Sequence, residues 1–90
     1  MHQILVIHTD GGITPVQQET PPTLKQVQDW VKGYVQPVGI DPTFGKEMYV
    51  NEEGLLDNLP ENKFATILAQ IPTGTHLVGD AVVFVNFSWE

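Results

Sequence analysis

Two short runs of branched aliphatic residues near opposite ends of the chain constrain its fold most. Ile4-Leu5-Val6-Ile7 is too brief for a helix and does not alternate with polar residues, so it reads as a strand buried on both faces. The stretch Leu77-Val78-Gly79-Asp80-Ala81-Val82-Val83-Phe84-Val85 is the most β-prone of all. Its centre also alternates poorly, which predicts a central strand covered on both faces. A chain of 90 residues buries roughly 60–65% of its unfolded surface. That is enough for one core, so residues 1–90 are expected to form a single compact domain.

The intervening elements follow from turn and cap chemistry. Thr9-Asp10-Gly11-Gly12 supplies a hairpin turn, and Ile13-Thr14-Pro15-Val16-Gln17-Gln18 the partner strand. Pro15 lacks an amide donor, which sends that strand to an edge. Thr20-Pro21-Pro22 breaks it. Thr23 and Gln26 then have the spacing of a capping box for a helix over about residues 24–33, with Leu24, Val27, Trp30, Val31 and Tyr34 as its apolar stripe. Gly33 is the expected left-handed stop. Tyr34 to Ile40 and Glu47 to Val50 form a second hairpin, ending at Asn51-Glu52-Glu53-Gly54. Leu55, Leu56 and Leu59 are apolar residues in a polar connection, which is therefore expected to pack down on the core. A second helix is capped by Asn58 or Asn62, carries Phe64, Ile67, Leu68 and Ile71 as its stripe, and ends at Pro72. The order β-β-α-β-β-α-β predicts an α+β domain: a mostly antiparallel sheet of about five strands with two helices packed on one face.

Composition excludes several function classes. Eleven acidic residues against four lysines and no arginine give a net charge of -7, so direct nucleic-acid binding is not expected. The absence of cysteine excludes disulfides, thiolate metal sites and thiol catalysis, and it fits a reducing compartment. The opening residues lack the pattern of a signal peptide, and no apolar run approaches the roughly 20 residues of a membrane span, so no membrane association is expected.

Four segments in order carry a resemblance: Val31-Lys32-Gly33-Tyr34-Val35, Tyr49-Val50-Asn51-Glu52-Glu53-Gly54-Leu55, Leu59-Pro60-x-Asn62-Lys63-x-Ala65-Thr66, and Val78-Gly79-Asp80-Ala81-Val82-Val83. Together they span nearly the whole chain. The sequence resembles a family of small domains found mainly in phage, plasmid and related bacterial sequences, catalogued as a domain of unknown function. The chain has Lys63 where members of that family often have arginine. The resemblance implies a mobile-element setting and a bacterial cytoplasm, and it brings no established activity.

The chemistry-bearing residues are sparse. Glu52 and Glu53, with Asp57 or Asp80, could ligate a divalent cation, but neighbours in an extended chain point to opposite sides. Asn-Glu-Glu-Gly is also ordinary turn chemistry. His2 and His8 lie about 20 Å apart along a strand at roughly 3.3 Å per residue, too far to share a metal. His8 with Asp10 is a candidate acid-base pair. The single serine, Ser88, sits near the C-terminus, and the threonines at 9, 20, 23, 73 and 75 flank turns or caps. No catalytic residue, metal site or cofactor is therefore expected, and the chain reads as a non-enzyme.

Three functional readings remain. The first is a small acidic accessory protein that binds a host protein with a basic surface, such as a defence or nucleic-acid enzyme, and modulates or inhibits it. Its contacts are assigned to Tyr34, Tyr49, Asn51, Glu52, Glu53, Asn58, Asn62 and Asp80. The second is a small-ligand binder or sponge acting as a homo-oligomer, with Trp30, Tyr34, Tyr49 and Trp89 as stacking surfaces. A DNA-mimic anti-restriction protein is the third. The terminal segment Phe87-Ser88-Trp89-Glu90 also suggests an aromatic strand that could add to another sheet.

Overall fold

The computed structural model describes residues 1–89. Its strands are β1 (His2–Ile7), β2 (Ile13–Gln18), β3 (Val35–Val38), β4 (Glu47–Asn51) and β5 (Ala81–Phe84), and its helices are α1 (Leu24–Val31) and α2 (Lys63–Leu68). All strand pairs are antiparallel, in the order β2-β1-β5-β4-β3. The element order and the α+β class are those expected, and the two apolar runs lie side by side as β1 and β5.

The helices do not share one face of the sheet. Ile4, Val6, Tyr49, Val82 and Phe84 form one buried cluster with Val27 and Val31 of α1. Ile7, Met48, Val50, Ala81 and Val83 form another with Ala65 and Leu68 of α2. Successive strand residues point to opposite faces, so β1 and β5 each feed both clusters and each face needs its own helix. The expectation of both helices on one face is corrected here. A sheet apolar on both sides, as these runs are, leaves one side uncovered under that arrangement.

Both edge strands carry a proline at a position that faces away from the sheet. His8 N donates to Gly12 O and Glu52 N to Tyr34 O. Antiparallel pairs alternate between bonded and non-bonded, so Pro15 opposite Leu5 and Pro37 opposite Tyr49 fall at non-bonded positions. The missing N–H is therefore one that would have pointed outward.

Helix boundaries follow side-chain caps. Thr23 and Gln26 form the expected capping box on α1. The left-handed residue that ends α1 is Lys32, with φ 64°, instead of Gly33. Gly33 is needed for space, because a Cβ there would lie 2.7 Å from the Asn51 side-chain nitrogen. Asn62, and not Asn58, caps α2. Phe64 and Ile67 of α2 are exposed while Ala65 and Leu68 are buried, so only part of the expected stripe packs inward. The chain after β5 folds back onto its own sheet: Phe87 stacks on Phe84, and Trp89 packs against Tyr49 and Phe84 and donates its indole N–H to Pro22 O at 2.8 Å. As far as Trp89 it does not project as a free strand, and Glu90 lies outside the described residues.

Candidate functional site

The end of β1, the start of β2, the end of β4, the start of β5 and the C-terminus of α1 meet along one rim of the sheet. The link between them is Asp80, whose side chain is 11% exposed. Its Oδ2 accepts from His8 Nδ1 and from Lys32 Nζ, both at 3.0 Å, and its Oδ1 from the Thr9 backbone N–H at 3.1 Å. Burial alone would raise the Asp80 pKa. The hydrogen bonds from His8, Lys32 and Thr9, with the Lys32 charge, outweigh it and hold the carboxyl below its ordinary value. An ionised carboxylate only accepts, so His8 carries its proton on Nδ1. His8 Nε2 lies 2.8 Å from Thr14 Oγ1, and in the neutral imidazole it accepts from that hydroxyl. His8 thus pairs with Asp80 and not with Asp10, whose Oδ1 accepts from Gly12 N inside the turn.

Two buried asparagines organise the rim. Asn51 Nδ2 donates to Val31 O and Lys32 O, both at 3.2 Å, and its Oδ1 accepts from Glu53 N at 2.8 Å. It satisfies carbonyls that the end of α1 leaves open. Asn62 is fully buried; its Oδ1 caps Ala65 N, and its Nδ2 donates to Ile7 O and Gly79 O. Gly79 has φ +78°, and a Cβ there would lie 2.8 Å from Leu59.

Residues 51–59 form a ridge held by its own backbone bonds: Gly54 N to Asn51 O, Asp57 N to Glu53 O, Asn58 N to Leu55 O and Leu59 N to Gly54 O. Asn58 takes a left-handed φ of 57° in it. The ridge presents Leu55 at 79% and Leu56 at 85% exposure, flanked by exposed Glu52, Glu53 and Asp57. On one side lies a groove of ≈ 400 Å³ lined by Asp29, Lys32, Tyr34, Asn51, Glu53 and Asp57 among others. On the other is a more apolar groove of ≈ 390 Å³ that includes Val38, Val50, Leu55, Ile71, Leu77 and Val78.

The expected contact residues therefore separate into two groups. Tyr34, Glu52, Glu53 and Asn58 are exposed on or beside the ridge. Tyr49, Asn51 and Asn62 are buried, and Asp80 is occupied within the rim. The structure brings in Leu55, Leu56, His8, Thr14 and Lys32, which were outside the expected set. Two consecutive leucines in a polar connection were the one sequence signal for the ridge, and the sequence reading packed them onto the core. Among the described residues, no group of three or more His, Cys, Asp or Glu is arranged to hold a metal ion. No helix among them is long and apolar enough to cross a membrane.

No curated protein and no solved structure matches the chain. A family model does match residues 1–86, and by that match the chain belongs to the family described as domain of unknown function (DUF3846).

Proposed function

We propose that this domain is a docking module: a small acidic accessory protein of phage- or plasmid-type elements that binds a host protein in the bacterial cytoplasm and modulates or inhibits it. The observation that carries this reading is the exposure of Leu55 and Leu56 on an ordered ridge with Glu52, Glu53 and Asp57 around them. Exposed large apolar side chains rimmed by charge are the usual composition of a protein contact. The net charge of -7 favours a partner with a basic surface, since complementary charge speeds encounter and orients docking. Tyr34, 65% exposed beside the ridge, adds a face on which a cationic side chain can stack.

Affinity capture from a bacterial host lysate with the wild-type chain and with the double variant Leu55→Ser/Leu56→Ser tests the proposal. The expected result is a partner retained by wild type, lost with the double variant and weakened as salt rises. The same proteins captured by both chains would overturn it. The ligand-binding alternative rests on the groove beside Tyr34 and predicts a small-molecule adduct in native mass spectrometry.

A further inference from the structure

A second feature of the rim is independent of the ridge. Asp80, His8 and Thr14 form an ordered chain of carboxylate, imidazole and hydroxyl, with Asp80 Oδ2 to His8 Nδ1 at 3.0 Å and His8 Nε2 to Thr14 Oγ1 at 2.8 Å. Both links are within the range required of a nucleophile–base–orienter set. Tying the rim together requires only Asp80 with His8, Lys32 and Thr9. The bond between His8 and Thr14 adds a hydroxyl that, in the neutral imidazole, directs its proton at a base, on an exposed residue of an edge strand.

We propose that Thr14 is an acyl-accepting nucleophile, with His8 as its general base and Asp80 as the residue that positions His8. The acyl donors that fit are small activated esters, because Thr14 is open to solvent and a donor that carries its own good leaving group needs no enclosing pocket to react there. In the first step the Thr14 Oγ–carbonyl carbon bond forms as the hydroxyl proton passes to His8 Nε2. The tetrahedral centre then collapses, the bond to the leaving alkoxide or aryloxide breaks, and His8 returns the proton to that oxygen. Water attacks the Thr14 ester with His8 again taking its proton. The carboxylic acid leaves and Thr14 regains its hydrogen. Ile13, at a non-bonded position opposite Ile7, directs its N–H away from β1 and is the adjacent backbone donor assigned to the developing oxyanion. With only one such donor the reaction is slow, since each well-placed donor contributes on the order of 10²–10³ in rate.

The charged groups around His8 are Asp80, Lys32 through Asp80, and Asp10 in the adjoining turn. Glu61 and Lys63 lie across a depression of ≈ 260 Å³ that His8 also lines.

The test is incubation of the folded full chain with p-nitrophenyl acetate, with nitrophenolate release followed by absorbance and the acetylated residue assigned by fragmentation mass spectrometry. The expected result is acetylation at Thr14, with release of nitrophenolate. It should slow about 100-fold in His8→Gln, the scale of general-base assistance. It should be absent from position 14 in Thr14→Val and persist in Thr14→Ser. Asp80→Asn should alter the pH profile of the reaction, an effect that a purely structural clasp would not produce. Should His8→Gln or Asp80→Asn fail to fold, the wild-type, Thr14→Val and Thr14→Ser comparison still decides. Acetylation confined to lysines and the N-terminus, or equal Thr14 labelling in a folded His8→Gln, would overturn the proposal.

Discussion

The side-chain amide of Asn62 donates to the carbonyl of Ile7 at 2.9 Å, tying the start of α2 to the end of β1 across fifty-five positions of sequence, |i−j| = 55. The same side chain caps Ala65 N and bonds Gly79 O, so one buried residue joins a helix, a strand and the turn before β5. Asn62→Ala should remove the cap and leave two buried carbonyls without this donor, lowering stability by about 2–4 kcal/mol. Asn62→Asp should keep the cap oxygen but lose both donations, and it also should be strongly destabilising. Urea unfolding monitored by circular dichroism gives both values. A loss below about 0.5 kcal/mol, the range of an ordinary surface change, would contradict the role assigned to Asn62.

Gly33 and Lys32 should respond in opposite ways to the usual rule for helix ends. Gly33→Ala places a Cβ 2.7 Å from the Asn51 amide nitrogen and should displace the group that bonds Val31 O and Lys32 O, at about 1–3 kcal/mol. Lys32→Gly relieves a left-handed backbone while losing the ion pair between its exposed ammonium and the mostly buried Asp80. These terms are each about 1 kcal/mol and oppose one another, so the net change should be small. Thermal melting of the two variants side by side checks the order.

Asp80 should impose an acid limb on stability. Its carboxyl pKa is lowered in the folded state: burial opposes ionisation, but His8, Lys32 and Thr9 more than compensate. The resulting stabilisation is present above the unfolded carboxyl value of about 3.9, and it is lost as pH falls through the lower folded value. Asp80→Asn should therefore be less stable than wild type at neutral pH, and the difference should shrink as the medium is acidified below about pH 4. Urea midpoints across that range measure it, and a constant offset would exclude the linkage.

Trp89 should behave as a core residue despite its place next to the chain end. Trp89→Ala removes the packing of this half-buried ring on Tyr49 and Phe84 and should destabilise by about 2–3 kcal/mol. Trp89→Phe keeps much of that packing but loses the bond to Pro22 O, for about 1 kcal/mol beyond any change in packing. The fluorescence of Trp30 remains available to follow unfolding in both variants.

The ridge leucines should be the converse case. With Leu55 and Leu56 exposed, Leu55→Ser/Leu56→Ser should change stability by no more than about 0.5 kcal/mol. Equal melting temperatures for the double variant and the wild type would make its capture result interpretable as loss of contact.

Much of the fold was legible because local rules fix it. The capping box at Thr23 and Gln26, the edge position of the strand with Pro15, and the order of helices and strands along the chain all follow from neighbours in sequence. The runs at Ile4–Ile7 and 81–84 also stated that both sheet faces are covered, a requirement that the one-face arrangement of helices did not meet. The rim was less legible because its links are long-range: His8 meets Asp80 across |i−j| = 72 and Lys32 meets it across |i−j| = 48. No spacing motif encodes contacts set by strand order. Asn51 and Asn62 were identifiable as unusual residues, yet whether an asparagine points into a helix end or out to a partner is decided by packing. Leu55 and Leu56 were misplaced for the reverse reason, since hydrophobicity alone cannot distinguish a residue that fills a core from one held outside it.

The outward-facing prolines of β2 and β3 also affect how this domain can meet other chains. A growing sheet recruits new strands through its unpaired backbone groups, whatever the side chains. Here each margin lacks a donor in the middle of its strand, so an unbroken ladder cannot extend from either side. Fibre-like stacking is discouraged even when the protein is abundant. Recognition then has to run through side chains on the rim and ridge, where substitutions can redirect binding without disturbing the sheet beneath.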